Sequence, residues 1–110
     1  MAGKFEIYQD KAGEYRFRLK AGNGETILVG EGYKAKAGVE NGIESVRNNA
    51  GNADCYEARE ANDGSHYFVL KAANHQEIAR SQMYKAVASC ENGMHSVMNH
   101  AADASVDDQT

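Results

Sequence analysis

Four histidines and one cysteine are the side chains here best suited to binding a metal. All the histidines lie in the second half of the chain, at His66, His75, His95 and His100. Cys90, His95 and His100 follow one another at intervals of five residues, whereas ligands on one helix usually stand three or four residues apart. The spacing therefore predicts neither a metal site nor a metal cofactor.

Nucleophilic catalysis finds no stronger support in the residue types. Cys90 falls on the apolar side of a predicted helix, where thiols tend to be inert. Ser45 and Ser96 occupy matching positions in the two halves, but no histidine or carboxylate is spaced to activate both. Glu40 and Glu44 form an i, i+4 like-charge pair that is typical of a solvated helix face. We therefore predict no catalytic residues, no cofactor and no enzymatic activity.

We expect structural roles for the other two histidines and for the two cysteines. His66 shares a strand face with Phe68 and Leu70, which indicates a hydrogen-bonded interior or edge histidine. His75 lies in a predicted hairpin, so we expect it in an exposed turn. Two cysteines cannot form a disulfide scaffold, so we expect two buried thiols, with one disulfide bridge as the alternative.

A basic stripe is the clearest candidate binding surface. Arg16, Arg18 and Lys20 alternate along one predicted strand and would face an anion or a nucleic acid. The equivalent strand of the second half carries Tyr67 and Val69 instead, which predicts an outward apolar patch for a protein partner. The isoelectric point near 5.5 argues against nucleic acid, and a solvated face with cross-strand ion pairs is the simpler interpretation.

Composition limits the class of protein. The 110 residues carry a net charge of −4, and 42% are hydrophobic, but 17 of those are alanine. Leu, Ile, Val and Phe together number only 17, which predicts a thin core. No apolar run is long enough to span a membrane and no signal peptide opens the chain, so we expect a soluble cytoplasmic protein.

An internal repeat accounts for most of the chain. Shifting the sequence by 51 residues aligns 5–50 with 56–101 without a gap, and 19 of the 46 pairs are identical. We assign repeat one to 4–51, repeat two to 55–101 and an acidic tail to 102–110, all within one domain of 1–110. Two small units that share one core would compensate for the few large aliphatic residues.

Each repeat predicts three strands and a helix. In repeat one, 4–10, 15–20 and 26–29 have the period of half-buried strands, and Asn23-Gly24 supplies a two-residue hairpin turn. The period then lengthens, which predicts an amphipathic helix over 35–49. Gly42 and Gly93 fall in the middle of the two helices, where a missing side chain would let each helix lie close to the sheet.

The repeat also resembles a known family. The stretch Tyr-Arg-Phe-Arg-Leu-Lys-Ala-Gly-Asn-Gly-Glu, followed by Tyr33 and by Glu-Asn-Gly-Ile-Glu-Ser-Val, resembles the YegP-like family of bacterial proteins. In repeat two, Leu-Lys-Ala-Ala-Asn-His-Gln, Ser-Gln-Met-Tyr and Ser-Val-Met are similar to the family's second repeat. The resemblance covers residues 4 to about 101 and includes the spacing between the repeats.

The resemblance implies an α+β fold in which each βββα unit is followed by one further strand. The two halves would share one antiparallel sheet, with both helices on one face and a pseudo-two-fold axis, and would exchange their last strands. Residues 54–60 would then form one longer strand that ends the first unit and begins the second, and 104–107 would form a short closing strand. The family has no assigned activity, so the resemblance supplies no catalytic residues.

One departure from the family pattern affects the helix starts. Lys34 and Lys85 stand where the family often has a Ser or Thr that caps the helix. Lysine accepts no hydrogen bond from helix N–H groups and opposes the helix dipole. The residue at which each helix begins therefore does not follow from the sequence pattern to within one turn. Such cations would also attract an anion, although a solvated lysine is the simpler interpretation.

Together these observations predict a small non-catalytic protein that binds an unidentified partner or ligand. Because the tandem repeat would act as an internal pseudo-dimer, we expect a monomer with no membrane contact. One alternative is RNA or single-stranded DNA binding through the basic stripe. The other is a small-molecule or enzyme site between the two helices, near Tyr33 and Tyr84.

Overall fold

A computed structural model describes residues 3–22, 24–72 and 74–110 of the chain. These residues form seven strands, two α-helices and one short 3-10 helix. In chain order the elements are β1 Lys4–Gln9, β2 Tyr15–Lys20, β3 Thr26–Gly30, α1 Lys36–Asn49, the 3-10 helix Ala53–Cys55, β4 Tyr56–Glu60, β5 His66–Lys71, β6 Glu77–Arg80, α2 Val87–His100 and β7 Ser105–Asp108. No helix within the described ranges has the length and apolar character needed to cross a membrane.

All seven strands belong to one sheet that both repeats share. Their order is β4-β5-β6-β3-β2-β1-β7, and the antiparallel pairing of β3 with β6 joins the repeats at the centre. The predicted α+β duplication is therefore confirmed. The sheet is mixed rather than wholly antiparallel, because β7 pairs parallel to β1. A parallel neighbour needs a crossover connection, and here β7 reaches β1 only after the chain has passed through α2.

Alternation along the strands separates a core face from an open face, which we define as the sheet face turned away from the helices. Phe17 and Leu19 of β2 point to the core beside Ile7 and Phe5 of β1, and all four are essentially unexposed. Phe68 and Leu70 are the buried counterparts of Phe17 and Leu19 in repeat two. One core therefore spans both repeats.

Both helices cover the core face, and glycine sets how close they come. A Cβ atom added at Gly42 would lie 2.6 Å from the Tyr33 hydroxyl, and one added at Gly93 would lie still closer to the Tyr84 hydroxyl. The predicted close approach of helix to sheet is thus present in both repeats.

The helices begin without side-chain caps. Ala35 and Ala86 occupy the N-cap positions, and neither helix receives a side-chain hydrogen bond there. Lys34 and Lys85 are exposed to solvent just before them. The helices therefore start at Lys36 and Val87.

The joint between the repeats differs from the prediction. Residues 53–55 form a 3-10 turn rather than the start of a strand, because the Asn52 side chain accepts a hydrogen bond from the Asp54 N–H at 3.0 Å. β4 then begins at Tyr56 and pairs only with β5 among the described residues. It serves as the first strand of repeat two and supplies no closing strand for repeat one. The closing strand expected at 104–107 is present as Ser105–Asp108.

The predicted Asn23-Gly24 turn is described in part. Asn23 lies outside the described residues, while Gly24 has a φ of +85° and donates its N–H to the Ala21 carbonyl. His75 replaces Gly24 in repeat two, keeps a φ of +70°, and is exposed as expected.

Candidate functional site

The basic stripe of β2 lies on the open face, and each of its cations contacts a carboxylate. Arg18 Nε lies 2.6 Å from a Glu6 carboxylate oxygen, and Lys20 Nζ lies 3.4 Å from the same oxygen. Arg16 Nε lies 2.8 Å from an Asp10 oxygen. The stripe is therefore outward-facing, as predicted, but its charges are paired within the protein.

Glu6 is the centre of this ion-pair cluster. Its carboxylate is buried on the open face and is also 3.4 Å from Lys4 Nζ. Burial by itself would raise the pKa of Glu6, yet the hydrogen bond and charge of Arg18, with Lys20, outweigh it and lower that pKa. Glu6 therefore stays ionised and offsets part of the positive charge of the basic stripe.

Repeat two builds a second ion-pair cluster on the same face. Glu57 contacts Arg59 and Lys71, and Arg59 continues to Glu77 at 3.0 Å. The hydrogen bonds from Lys71 and then Arg59 lower the pKa of Glu57 to about 2. In both repeats an acidic residue of the first strand thus contacts the lysine that ends the neighbouring strand, Lys20 or Lys71.

The predicted apolar patch is not exposed. Val69 points to the open face but has 0% exposure. Tyr67 is half-buried, and the Arg80 guanidinium lies 5.6 Å from its ring centroid. Val69 therefore presents no surface to a partner, and Tyr67 presents only a half-buried ring beside a cation.

The surroundings of both thiols are typical of structural rather than reactive cysteines. Cys55 and Cys90 are both free and buried, as expected. Burial raises the pKa of the Cys90 thiol, which disfavours the nucleophilic thiolate.

His66 is half-buried at the start of β5, where its backbone N–H and C=O pair with Tyr84. The described residues hold no group of three or more potential metal ligands.

One serine–histidine contact escaped the sequence analysis. Ser96 Oγ lies 3.3 Å from His100 Nδ1, a contact that the i, i+4 spacing could have indicated. The same nitrogen is 2.7 Å from the Ser96 carbonyl oxygen, to which it donates, so it cannot accept the serine proton. Asn49 makes the same two contacts with Ser45 in repeat one, which marks both pairs as helix-end hydrogen bonds.

A polar groove of about 760 Å³ lies beside Tyr33, and we name it the Tyr33 groove. α1 forms one wall and the β5–β6 hairpin forms the other. Side chains of Asn41, Ser45 and His75 reach it, but Tyr84 and α2 do not line it. Of the two tyrosines named for a site between the helices, this groove therefore contains Tyr33 and not Tyr84.

An apolar groove of about 390 Å³ runs between α2 and the outer edge of β4, and we name it the β4 groove. Its apolar lining comes from Val87, Cys90 and Met94 of the helix and Ala58 of the sheet. The polar residues of its lining are Arg59, Glu60, His66 and Glu91. Val87 is 55% exposed, among the most exposed large hydrophobic side chains described. An apolar groove next to a strand edge is a common setting for peptide recognition.

The backbone of β4 offers unpaired hydrogen-bonding groups along this groove. Ala61 donates its N–H to Ser65 across the β4–β5 turn, and bonded residues alternate in an antiparallel ladder. Glu57 and Arg59 therefore bond towards β5. The N–H and C=O groups of Ala58 and Glu60 point away from β5, whereas the N–H of Tyr56 is donated to the Ala53 carbonyl of the 3-10 turn.

The equivalent edge in repeat one is covered. β7 lies beside β1, with Ser105 and Gln109 donating their N–H groups to the carbonyls of Gly3 and Ile7. Ile7 is 1% exposed, whereas its counterpart Ala58 is exposed. The two repeats therefore differ chiefly at their outer edges, and β4 is the edge that lacks a neighbour among the described residues.

These features define a class: a duplicated α+β protein with two helices on one face of a shared, mixed sheet. Two stretches, 10–57 and 61–108, match the family model described as a domain of unknown function (DUF1508), with the same offset of 51 residues as the repeat. The chain belongs to this family.

Relatives and solved structures agree with this assignment. The UPF0339 protein YegP of Escherichia coli O157:H7 is 49% identical over the whole of both chains. A UPF0339 protein of the ptx operon 5' region in Stutzerimonas stutzeri is 54% identical over 96% of each.

The solution NMR structure of E. coli yegP, described as a protein of unknown function, has a TM-score of 0.94 at 48% identity. It covers 100% of this chain and 95% of that chain. A Shewanella oneidensis UPF0339 structure has a TM-score of 0.91 at 44% identity over 98% and 92% of the two chains.

Proposed function

We propose that this protein is a non-catalytic interaction module that binds an extended polypeptide segment at the edge of β4. The observation that carries the proposal is the contrast between the two repeats. β1 is covered by β7, while β4 presents unpaired backbone groups beside the apolar β4 groove. A peptide added there would gain main-chain hydrogen bonds from β4 and side-chain contacts from α2.

Protein edges of this kind normally carry features that prevent indiscriminate pairing. β4 is five residues long and bears Glu57, Arg59 and Glu60, so nonspecific pairing is disfavoured. The groove at its side leaves room for a partner whose side chains fit. We place this activity in the cytoplasm, consistent with two free, buried thiols.

Selection of displayed peptides tests the proposal. A random peptide library is panned on the immobilised full chain, and bound clones are then screened against the Ala58→Pro variant. The N–H of Ala58 points away from β5, so proline removes an outward donor without removing a β4–β5 hydrogen bond.

We expect enriched peptides that bind the unchanged protein and lose at least tenfold in affinity on the variant. No enrichment, or equal binding to both proteins, would contradict the proposal. Met83→Ser is the matched control, because Met83 is also an exposed apolar residue but does not line the β4 groove.

A small-molecule site in the Tyr33 groove is the second candidate. The observation in its favour is the convergence of Asn41, Ser45 and the Tyr33 ring on one polar groove. A thermal-shift screen of metabolites should then find a compound whose stabilisation is lost in Asn41→Leu. A screen with no stabilising compound would count against this candidate.

Nucleic-acid binding has weaker support, because Arg16, Arg18 and Lys20 already contact carboxylates. A gel-shift titration with RNA and single-stranded DNA at low salt is the direct test, since such binding is strongest there. Retardation at micromolar protein would revive this alternative.

A further inference from the structure

Three cations of repeat one hold β7 in place beside β1. Lys36 forms an ion pair with Asp108, and Lys4 Nζ lies 3.8 Å from an Asp107 oxygen. Arg47 donates a hydrogen bond to the Ala104 carbonyl just before the strand. The acidic character of β7 thus matches the basic character of the site that receives it.

None of these cations is present at the equivalent positions of repeat two. The offset of 51 residues places Cys55 at the position of Lys4, Val87 at that of Lys36, and Met98 at that of Arg47. All three replacements are uncharged and apolar. The α2 side of the β4 edge is therefore apolar at these positions, where the corresponding side of the β7 site is basic, although Arg59, Glu60 and Glu91 also line the β4 groove. The edge is a strand only from Tyr56 onward, since Cys55 belongs to the 3-10 turn.

We infer that β4 accepts a strand from a different polypeptide, parallel to β4, with apolar side chains at two alternate positions and no carboxylate there. This inference rests on the proposed function and names its partner by chemistry. The parallel direction follows from β7, which runs parallel to β1 at the equivalent edge.

The side chains expected of the partner strand follow from the same equivalence. Val106 of β7 borders the Ile43 and Arg47 side of α1, which corresponds to Met94 and Met98. Asp108 contacts Lys36, which corresponds to Val87. The two alternate positions of the partner strand would therefore both meet apolar side chains of α2.

The chain cannot fill this site with its own joint. Residues 50–55 connect α1 to β4 directly, whereas a strand parallel to β4 would need a crossover of a dozen or more residues. The β7 strand of a second copy is also a poor fit. Its Asp107 and Asp108 would meet no cation at the replaced positions. Glu60 and Glu91 line the same groove, and the Arg59 that also lines it is already paired with Glu57 and Glu77.

Two synthetic peptides test the inference on the full chain. One has the sequence of residues 104–110, Ala-Ser-Val-Asp-Asp-Gln-Thr. The other, Ala-Ser-Val-Thr-Val-Gln-Thr, replaces both carboxylates. In amide NMR titrations, the apolar peptide should shift the amide signals of Ala58 and Glu60 and bind about tenfold more tightly than the acidic one.

A variant with cations at the apolar positions provides the reverse test. Val87→Lys combined with Met98→Arg restores two of the cations that hold β7, at positions that are exposed or half-buried. Its preference should reverse in favour of the acidic peptide. Ala58→Pro should weaken both peptides, and Met83→Ser should change neither.

The strand direction has its own readout. A nitroxide at the carboxyl end of the apolar peptide should broaden the amide signal of Glu60 more than that of Tyr56. The opposite pattern would overturn the parallel arrangement.

Two further outcomes distinguish the inferred partner chemistry from the proposed peptide binding at β4. Equal affinity of both peptides for the unchanged protein, or no reversal in the switched variant, would overturn the inferred partner chemistry and leave the proposed function standing. Absence of β4 shifts with both peptides, in the unchanged and the switched protein, would overturn both.

Discussion

At the scale of single residues, Glu6 is the acid that most affects the charge of the open face. Its buried carboxylate contacts Lys4, Arg18 and Lys20, so three cations share one acid. Glu57 has the equivalent position in repeat two, but its side chain is 44% exposed. The same residue type therefore contributes differently to stability in the two repeats, because water screens the exposed pair more strongly.

The substitution Glu6→Gln should lower the free energy of unfolding by about 1–3 kcal/mol, since it removes charge-assisted hydrogen bonds from a buried group. Urea unfolding measures the loss. Glu57→Gln is the matched control and should have a smaller effect. Equal losses in the two variants would contradict the assignment of Glu6 as the dominant acid.

At the scale of elements, the approach of each helix to the sheet depends on a tyrosine and a glycine. A Cβ atom at residue 42 would lie 2.6 Å from the Tyr33 hydroxyl and 3.1 Å from the Phe17 ring. Helix propensity alone favours alanine over glycine by about 1 kcal/mol. Overpacking of a fitted contact usually costs about 1–3 kcal/mol, so packing should prevail over propensity.

Gly42→Ala should therefore destabilise the protein, and Tyr33→Phe should relieve part of that loss by removing the nearest atom. A double-mutant cycle measured by thermal or urea unfolding gives the coupling between the two positions. Additive effects would show that the hydroxyl does not limit the approach of α1.

The attachment of β7 is a second element-scale property, and it depends on pH. The hydrogen bond from Lys36, followed by those from Thr110, lowers the pKa of Asp108 from 3.8 to about 2. Asp108 therefore binds fewer protons in the folded than in the unfolded state between these values. Its contribution to stability is complete above about pH 4 and is lost as the pH falls towards 2.

Asp108→Asn should thus flatten this part of the pH dependence. Unfolding curves at pH 2, 3, 4 and 5 should show a larger decrease in stability for the unchanged protein than for the variant. Identical pH profiles would show that the Lys36–Asp108 ion pair does not support the folded state.

At the scale of the whole molecule, the duplication is symmetric at its centre and asymmetric at its edges. β3 and β6 pair where the repeats meet, so two halves with few large aliphatic residues share a core. The chain supplies a covering strand for β1 but none, within its described residues, for β4. A tandem repeat with a short joint therefore leaves one edge available to another polypeptide.

We expect the protein to be a monomer, since both halves of the pseudo-dimer belong to one chain. Sedimentation velocity at two concentrations should give the mass of one 12.0 kDa chain. A stable species of twice that mass would contradict this prediction. The β4 edge would then be the first interface to test for pairing of two copies.

The sequence alone was sufficient for the duplication, for the strands and helices of each repeat, and for the outward direction of Arg16 and Arg18. These features depend on residue periodicity, which reports local structure and the face of each element. The resemblance to the family added the closing strand, which composition would not have indicated.

Only the tertiary structure decided which side chains neutralise one another and which strand edge stays open. The pairing of Arg18 with Glu6, the burial of Val69 and the parallel position of β7 depend on contacts between residues far apart in the chain. Local patterns carry no record of strand order. The candidate site could therefore be found only once the two repeats were placed side by side and the uncovered edge of β4 was compared with β1.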